Sequence, residues 1–243
     1  KFLTIHMERC SRNRIQTAVD SGSVLVDGGF AASAACVASS HFSSAERQYR
    51  YPLEMGTTAP ETAQHTVTGA GCTLLAADDS DGAQFHRVRV SAATIGRVVD
   101  LGITDANNMG AAMAPAACDT VLTHFKDMGR TEADYDRIVT GDLGRFGTEM
   151  LLSLCRERGT ALEGRHLDCG NRIYGPDQDV KCGGSGCGCS AVTLAAELLD
   201  KLESGAWRRI LFLATGALLS PTAVLQGESI PGIAHALVIE REA

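Results

Sequence analysis

The sequence predicts an α/β fold built of stacked layers, and three observations carry that prediction. Apolar strand-like runs alternate with helical periodicity along the 243 residues, as layered α/β domains require. A glycine-rich turn, residues 183–191 (Gly-Gly-Ser-Gly-Cys-Gly-Cys-Ser-Ala), feeds directly into an apolar helical run over 192–202. Two stretches also echo each other. Cys10-Ser11 and Cys189-Ser190 each open a helix, and each helix ends at a small-residue turn, Gly28-Gly29 or Ser204-Gly205. Each turn leads to an apolar strand closing on small polar residues, Ser39-Ser40-His41 or Thr215-Gly216-Ala217. Such an echo implies a duplicated unit, here divided as residues 1–100 and 101–243, with two helix N-termini approaching one pseudo-two-fold axis.

Taken in order, residues 11–26 show helical spacing and stop at Gly28-Gly29. Residues 34–38 read as a buried strand, with Ser39-Ser40-His41 at its C-terminal end. Residues 43–50 form a short helix stopped by Pro52, and 53–64 are loop. Residues 65–76 read as one strand, 78–82 as a turn and 85–99 as a further strand. The second half opens at Asn107-Asn108-Met109-Gly110, with a helix over 113–128 and a strand over 137–140. Gly141-Asp142-Leu143-Gly144 then falls at a strand end, where open α/β sheets place their sites. A helix is expected over 147–158, irregular chain over 159–180, and strands over 207–215 and 229–240.

Bulk properties narrow the function. The chain is 44% hydrophobic and 21% charged, with a net charge of −7. An acidic, unpatterned surface argues against nucleic acid as the main partner. No apolar run is long enough to span a bilayer. The nine cysteines lie mostly within apolar runs, as buried free thiols do. Cys182, Cys187 and Cys189 cluster, but no second C-x-x-C or histidine pair completes a tetrahedral set, so no metal site is expected. No cofactor is expected either. The 183–191 turn presents backbone N–H groups and the positive end of a helix dipole, which suits an anion. Those donors are expected to be free.

These features resemble the thiolase superfamily and, within it, the stage V sporulation protein AD family. The resemblance covers nearly the whole chain. It is carried by residues 39–52 (Ser-Ser-His-Phe-Ser-Ser-Ala-Glu-Arg-Gln-Tyr-Arg-Tyr-Pro), by 99–103, and by 105–116 with Asp-Ala-Asn-Asn-Met-Gly-Ala-Ala-Met-Ala-Pro-Ala. Thr140-Gly141-Asp142-Leu143-Gly144, the 183–191 turn and residues 226–236 complete it. It implies a thiolase-like α-β-α-β-α layered domain of two duplicated halves. Family chains start well upstream of Lys1, so the first half is expected to be incomplete. It implies binding of dipicolinic acid (pyridine-2,6-dicarboxylate), with calcium able to enter on the ligand, in support of uptake into the developing spore. Other stage V sporulation A membrane proteins are the implied partners, and a homodimer is expected. The implied location is intracellular in a sporulating bacterium, soluble and peripheral to the spore's inner membrane.

The same resemblance frames the question of catalysis. A condensing enzyme needs a thiolate, a base and an oxyanion hole. Cys10 at a helix N-terminus stands where a nucleophile would, and an acyltransferase using it is the alternative reading. Condensing enzymes carry an essential histidine in a Gly-His-Pro motif; alignment on Gly188-Cys189-Ser190 places Ser185 there, and serine is no base near neutral pH. Thiolases have a second catalytic cysteine before the last strand, where Glu228 falls here. No acyl transfer is therefore expected. The degenerate centre is drawn around Cys10, Ser185 and His235, and the ligand set as Cys10, Ser40, His41, Asp142, Ser185, Gly186, Cys187 and Ser229. Arg47 or Arg50 is a further candidate to pair with a carboxylate. A third reading makes the chain a structural partner with a vestigial pocket.

Overall fold

A computed structural model describes residues 24–26, 29–31, 33–42, 60–76, 88–178 and 180–242. Its centre is a five-stranded mixed sheet in the order β6-β11-β10-β7-β8. The strands are β6 (Val88–Thr94), β7 (Arg137–Thr140), β8 (His166–Asp168), β10 (Arg209–Ala217) and β11 (Gly232–Arg241). β10 runs parallel to β7 and antiparallel to β11, and β6 closes the edge beside β11.

The period of two along the strands divides the apolar residues between two cores. Ile138, Leu211, Leu213, Ala234, Ala236 and Val238 face one side. There they meet α1 (Met109–Met128) and α2 (Gly144–Glu157). Val139, Ile210, Phe212 and Ile239 face the other, against Cys189, Leu198 and Leu202. Those three lie on one continuous helical run, α4 (Cys187–Thr193), a π-helical segment Leu194–Leu198, and α5 (Leu199–Glu203). An antiparallel ribbon, β3 (Ser33–Ser40) with β5 (Gly69–Ala76), packs on α4. The described residues thus form helix, sheet, helix and ribbon layers. A further short hairpin pairs β1 (Val24–Val26) with β2 (Gly29–Ala31).

Small residues explain why α1 is so deeply buried. Ala114, Ala116, Ala117 and Cys118 have no exposed surface, and alanine is the best helix former. Asn108 caps its start by accepting from the Ala111 N–H at 3.1 Å. Gly129, at φ 59°, ends it in a left-handed turn. The helix begins at Met109, four residues before the sequence expectation.

Four expectations are corrected. The single strand over 65–76 breaks at Val67–Thr68, because its two ends have different partners. β4 (His65–Thr66) pairs in parallel with β9 (Gly184–Ser185), whereas β5 pairs with β3. The irregular stretch 159–180 contains β8 and a short helix, α3 (Cys169–Arg172). The helix expected to open at Cys189-Ser190 and run on through 192–202 begins earlier, at Cys187, within the turn itself. The helix expected over 11–26 is also corrected at its end, because Val24–Val26 form β1, paired with β2; the rest of that helix and the one over 43–50 lie outside the described residues.

Candidate ligand-binding site

The 183–191 turn is assembled from four elements. Asp142, just past β7, accepts from the Thr215 hydroxyl at the end of β10 (2.9 Å) and from the Gly186 N–H (3.0 Å). Its carboxylate thus ties the turn to the sheet. The Gln64 side-chain amide donates to the carbonyls of Asp142 (2.7 Å) and Gly184 (3.1 Å). The β4–β9 pairing extends by one bond, from the Val67 N–H to the Ser185 carbonyl (2.9 Å). The Ser40 hydroxyl, at the end of β3, donates to the Val67 carbonyl (2.6 Å) and accepts from the Gly188 N–H (2.9 Å).

Two glycines make this approach possible. Gly186 has φ 99°, a conformation L side chains rarely adopt. A Cβ at Gly188 would come within 2.6 Å of both the Gly69 carbonyl and the Ser40 hydroxyl.

The expectation that the turn's donors stand free is therefore corrected. Asp142 and Ser40 already hold the Gly186 and Gly188 N–H groups. The unsatisfied polar atoms lie elsewhere. The Ser185 hydroxyl and the Gln64 carbonyl oxygen are buried with no hydrogen-bond partner. Ser185 as a residue is 7% exposed. A buried polar atom without a partner costs about 1–3 kcal/mol and calls for an explanation.

The remaining expected residues fall differently. Ser40, Asp142, Ser185 and Gly186 converge on the turn, with Cys187 exposed as the first residue of α4. His41 directly follows β3 and is exposed. Ser229 donates to an Asp100 carboxylate oxygen at 2.6 Å, on another loop, which holds the Asp100 carboxyl below its ordinary range. His235 is exposed on β11, its Nδ1 accepting from the Gly96 N–H at 3.1 Å. Cys10, Arg47 and Arg50 lie outside the described residues.

The polar residues missed by sequence reasoning include Gln64 and, on the three-residue strand β8, Asp168 and His166. Asp168 accepts from the Thr140 hydroxyl (2.7 Å) and from the N–H groups of Leu143 (2.8 Å), Gly144 (3.0 Å) and Asn171 (3.1 Å). It thus caps the starts of both α2 and α3. Burial pushes its carboxyl up to about 6, with the nearby Asp142 charge adding to the effect. His166 shares the Thr140 hydroxyl at 2.9 Å, and burial lowers its pKa to about 4. The Asp-Cys-Gly-Asn run at 168–171 is a helix-cap signature that could have flagged Asp168.

Two buried thiols stand at the turn, Cys189 within it and Cys169 at the start of α3. Burial pushes both upward, and the Asp142 and Asp168 charges push further. Both stay protonated and are poor nucleophiles.

The family model for stage V sporulation protein AD matches residues 3–240. The chain belongs to the stage V sporulation protein AD family. Among its relatives, the stage V sporulation protein AD of Bacillus subtilis (strain 168) is 48% identical over 232 residues. That alignment takes in 96% of this chain and 66% of the relative, so this chain spans just under two thirds of the relative's length. Among solved structures, the tetronic acid condensing enzyme AbyA1 superposes with a TM-score of 0.52 at 14% identity, over 94% of this chain and 63% of that one. A looser likeness, TM-score 0.49 at 8% identity, is to 3-oxoacyl-acyl-carrier-protein synthase III from Aquifex aeolicus VF5, over 94% of this chain and 62% of that one. The fold is thiolase-like, and at such identities the likeness speaks for the fold alone.

Proposed function

We propose that this sporulation-family chain is a non-catalytic ligand-binding protein. It holds dipicolinic acid at the 183–191 turn and supports uptake into the developing spore, alongside stage V sporulation A membrane proteins. The observation that carries this reading is Ser185. Its buried hydroxyl has no partner, and the family resemblance puts it where a condensing enzyme keeps its catalytic histidine. A ligand carboxylate supplies the missing acceptor.

The electrostatics favour one form of the ligand. Asp142 places a carboxylate on the turn, and a free dianion is repelled there. The calcium chelate is neutral, and its cation complements Asp142. We therefore expect calcium to strengthen binding. Burial keeps the Cys169 and Cys189 thiols protonated, and Ser185 cannot act as a base, so the site is built to hold rather than to transform.

Calorimetric titration of the chain with pyridine-2,6-dicarboxylate, with and without calcium, tests the reading. Saturable binding that tightens with calcium supports it. No saturable binding in either condition refutes it. Rapid labelling by an acyl-CoA, lost in Cys10→Ala, would instead establish the acyltransferase alternative.

A further inference from the structure

Beside the start of the turn lies a cavity of about 400 Å³, with Gly183 in its wall. That size falls within the range of small-molecule sites. Its walls come from the start of α2 (Arg145), from α3 and the chain after it (Asn171, Tyr174) and from the strap that leads into the turn (Lys181). The backbone around Arg145 is pinned to that strap. Its N–H donates to the Cys182 carbonyl at 2.8 Å, and the Phe146 N–H reaches the Cys182 Sγ at 3.2 Å.

Three features distinguish this cavity. Among the described residues the Arg145 guanidinium meets no hydrogen-bond or ion-pair partner, whereas Arg97, Arg172 and Arg209 each hold a carboxylate. Lys181 has φ 51° and is the only non-glycine among the described residues with a positive φ. Backbone strain of this kind concentrates at ligand clamps. The Tyr174 ring supplies an aromatic wall, braced edge-on by His65 (5.8 Å), which stacks on Phe42 (4.5 Å). Glu61 and Asp177 stand in the same lining and set a limit. With two carboxylates facing two cations, the cavity repels a polyanion but accepts one carboxylate on Arg145. Glu61 does not close it, because its side chain is 82% exposed and meets Lys181 only at 3.8 Å.

We propose that this cavity is a second ligand site, taking a small planar carboxylate. The carboxylate pairs with the Arg145 fork in bidentate fashion, and the ring lies along Tyr174. This rests on the proposed function only for the choice of ligand class.

The test is the stoichiometry of pyridine-2,6-dicarboxylate binding to the chain and to Arg145→Ala. Arg145 is exposed, so the variant is expected to fold, which an unchanged melting temperature checks. Two binding events falling to one in the variant support both sites. A single event that weakens about 10- to 100-fold in the variant, the loss of one charged pair, supports the cavity and refutes the turn site. Arg145→Lys then recovers part of the affinity. Binding that Arg145→Ala leaves unchanged refutes the cavity while the turn site stands. No binding at all refutes both.

Discussion

At Asp168 both carboxylate oxygens are occupied: a hydroxyl and three backbone N–H groups converge on them. At the neighbouring turn, two N–H groups are held by Asp142 and Ser40, yet the Ser185 hydroxyl and the Gln64 carbonyl oxygen are buried without partners. The two places share the same end of the sheet and differ in completeness. A saturated polar cluster fixes the backbone; an unsaturated one leaves hydrogen-bonding capacity unmet, and the proposed binding role rests on that capacity. The structural and the binding roles are separated on that basis, and mutation tests the separation.

The largest effect is expected at Asp168. Asp168→Ala strands four donors, three of them buried, and removes the cap of two helices. A loss of about 3–5 kcal/mol is expected, read by chemical denaturation. A loss below about 1 kcal/mol would erase the contrast with the turn.

Asp142→Asn probes the boundary between the two roles. The amide keeps one acceptor for Thr215 but turns a donor toward the Gly186 N–H. Stability should fall by about 1–2 kcal/mol. Free pyridine-2,6-dicarboxylate should bind more tightly and depend less on calcium, as paired titrations would show.

The fold was largely legible in the sequence, and the reasons are local. β7, β10 and β11 announced themselves by apolar runs, and α1 by its helical run over 113–128, although its capped start at Asn108-Met109 was missed. β8 was hidden because His-Leu-Asp is three residues long and polar at both ends. The break at Val67 was hidden because residues 65–76 read as one strand until β9, more than a hundred residues later, claims the first two. For the site, residue types pointed to Ser185, Asp142 and Ser40. They could not show that Asp142 and Ser40 consume the turn's donors, since that depends on contacts 44 and 148 residues apart. Likewise, Ser229 and His235 lie on or beside the last strand, but their hydrogen bonds go to Asp100 and Gly96.

A smaller effect is expected from pH. His124, wholly buried between Thr94 (2.7 Å) and Tyr135 (2.5 Å), has its pKa lowered to about 4 by burial and then by the Arg130 charge. With His166, it stays neutral in the folded chain and protonates on unfolding. The stability this gives is intact above the ordinary value of 6.5 and is lost as pH falls toward 4. Asp168 opposes them, its raised carboxyl favouring the folded chain as pH drops below about 6. Two histidines outweigh one carboxyl, so the denaturation midpoint should decrease from pH 6.5 to 4. His124→Gln should flatten that slope, and an equally steep slope in the variant would assign it to other groups.

Ser185→Ala puts the central claim to its most direct test. The substitution removes an unpartnered hydroxyl, so stability should hold or rise by up to about 1 kcal/mol. Titration with calcium and pyridine-2,6-dicarboxylate should show the turn's binding event weakened about tenfold or more. Identical titrations of the chain and of Ser185→Ala would contradict the account.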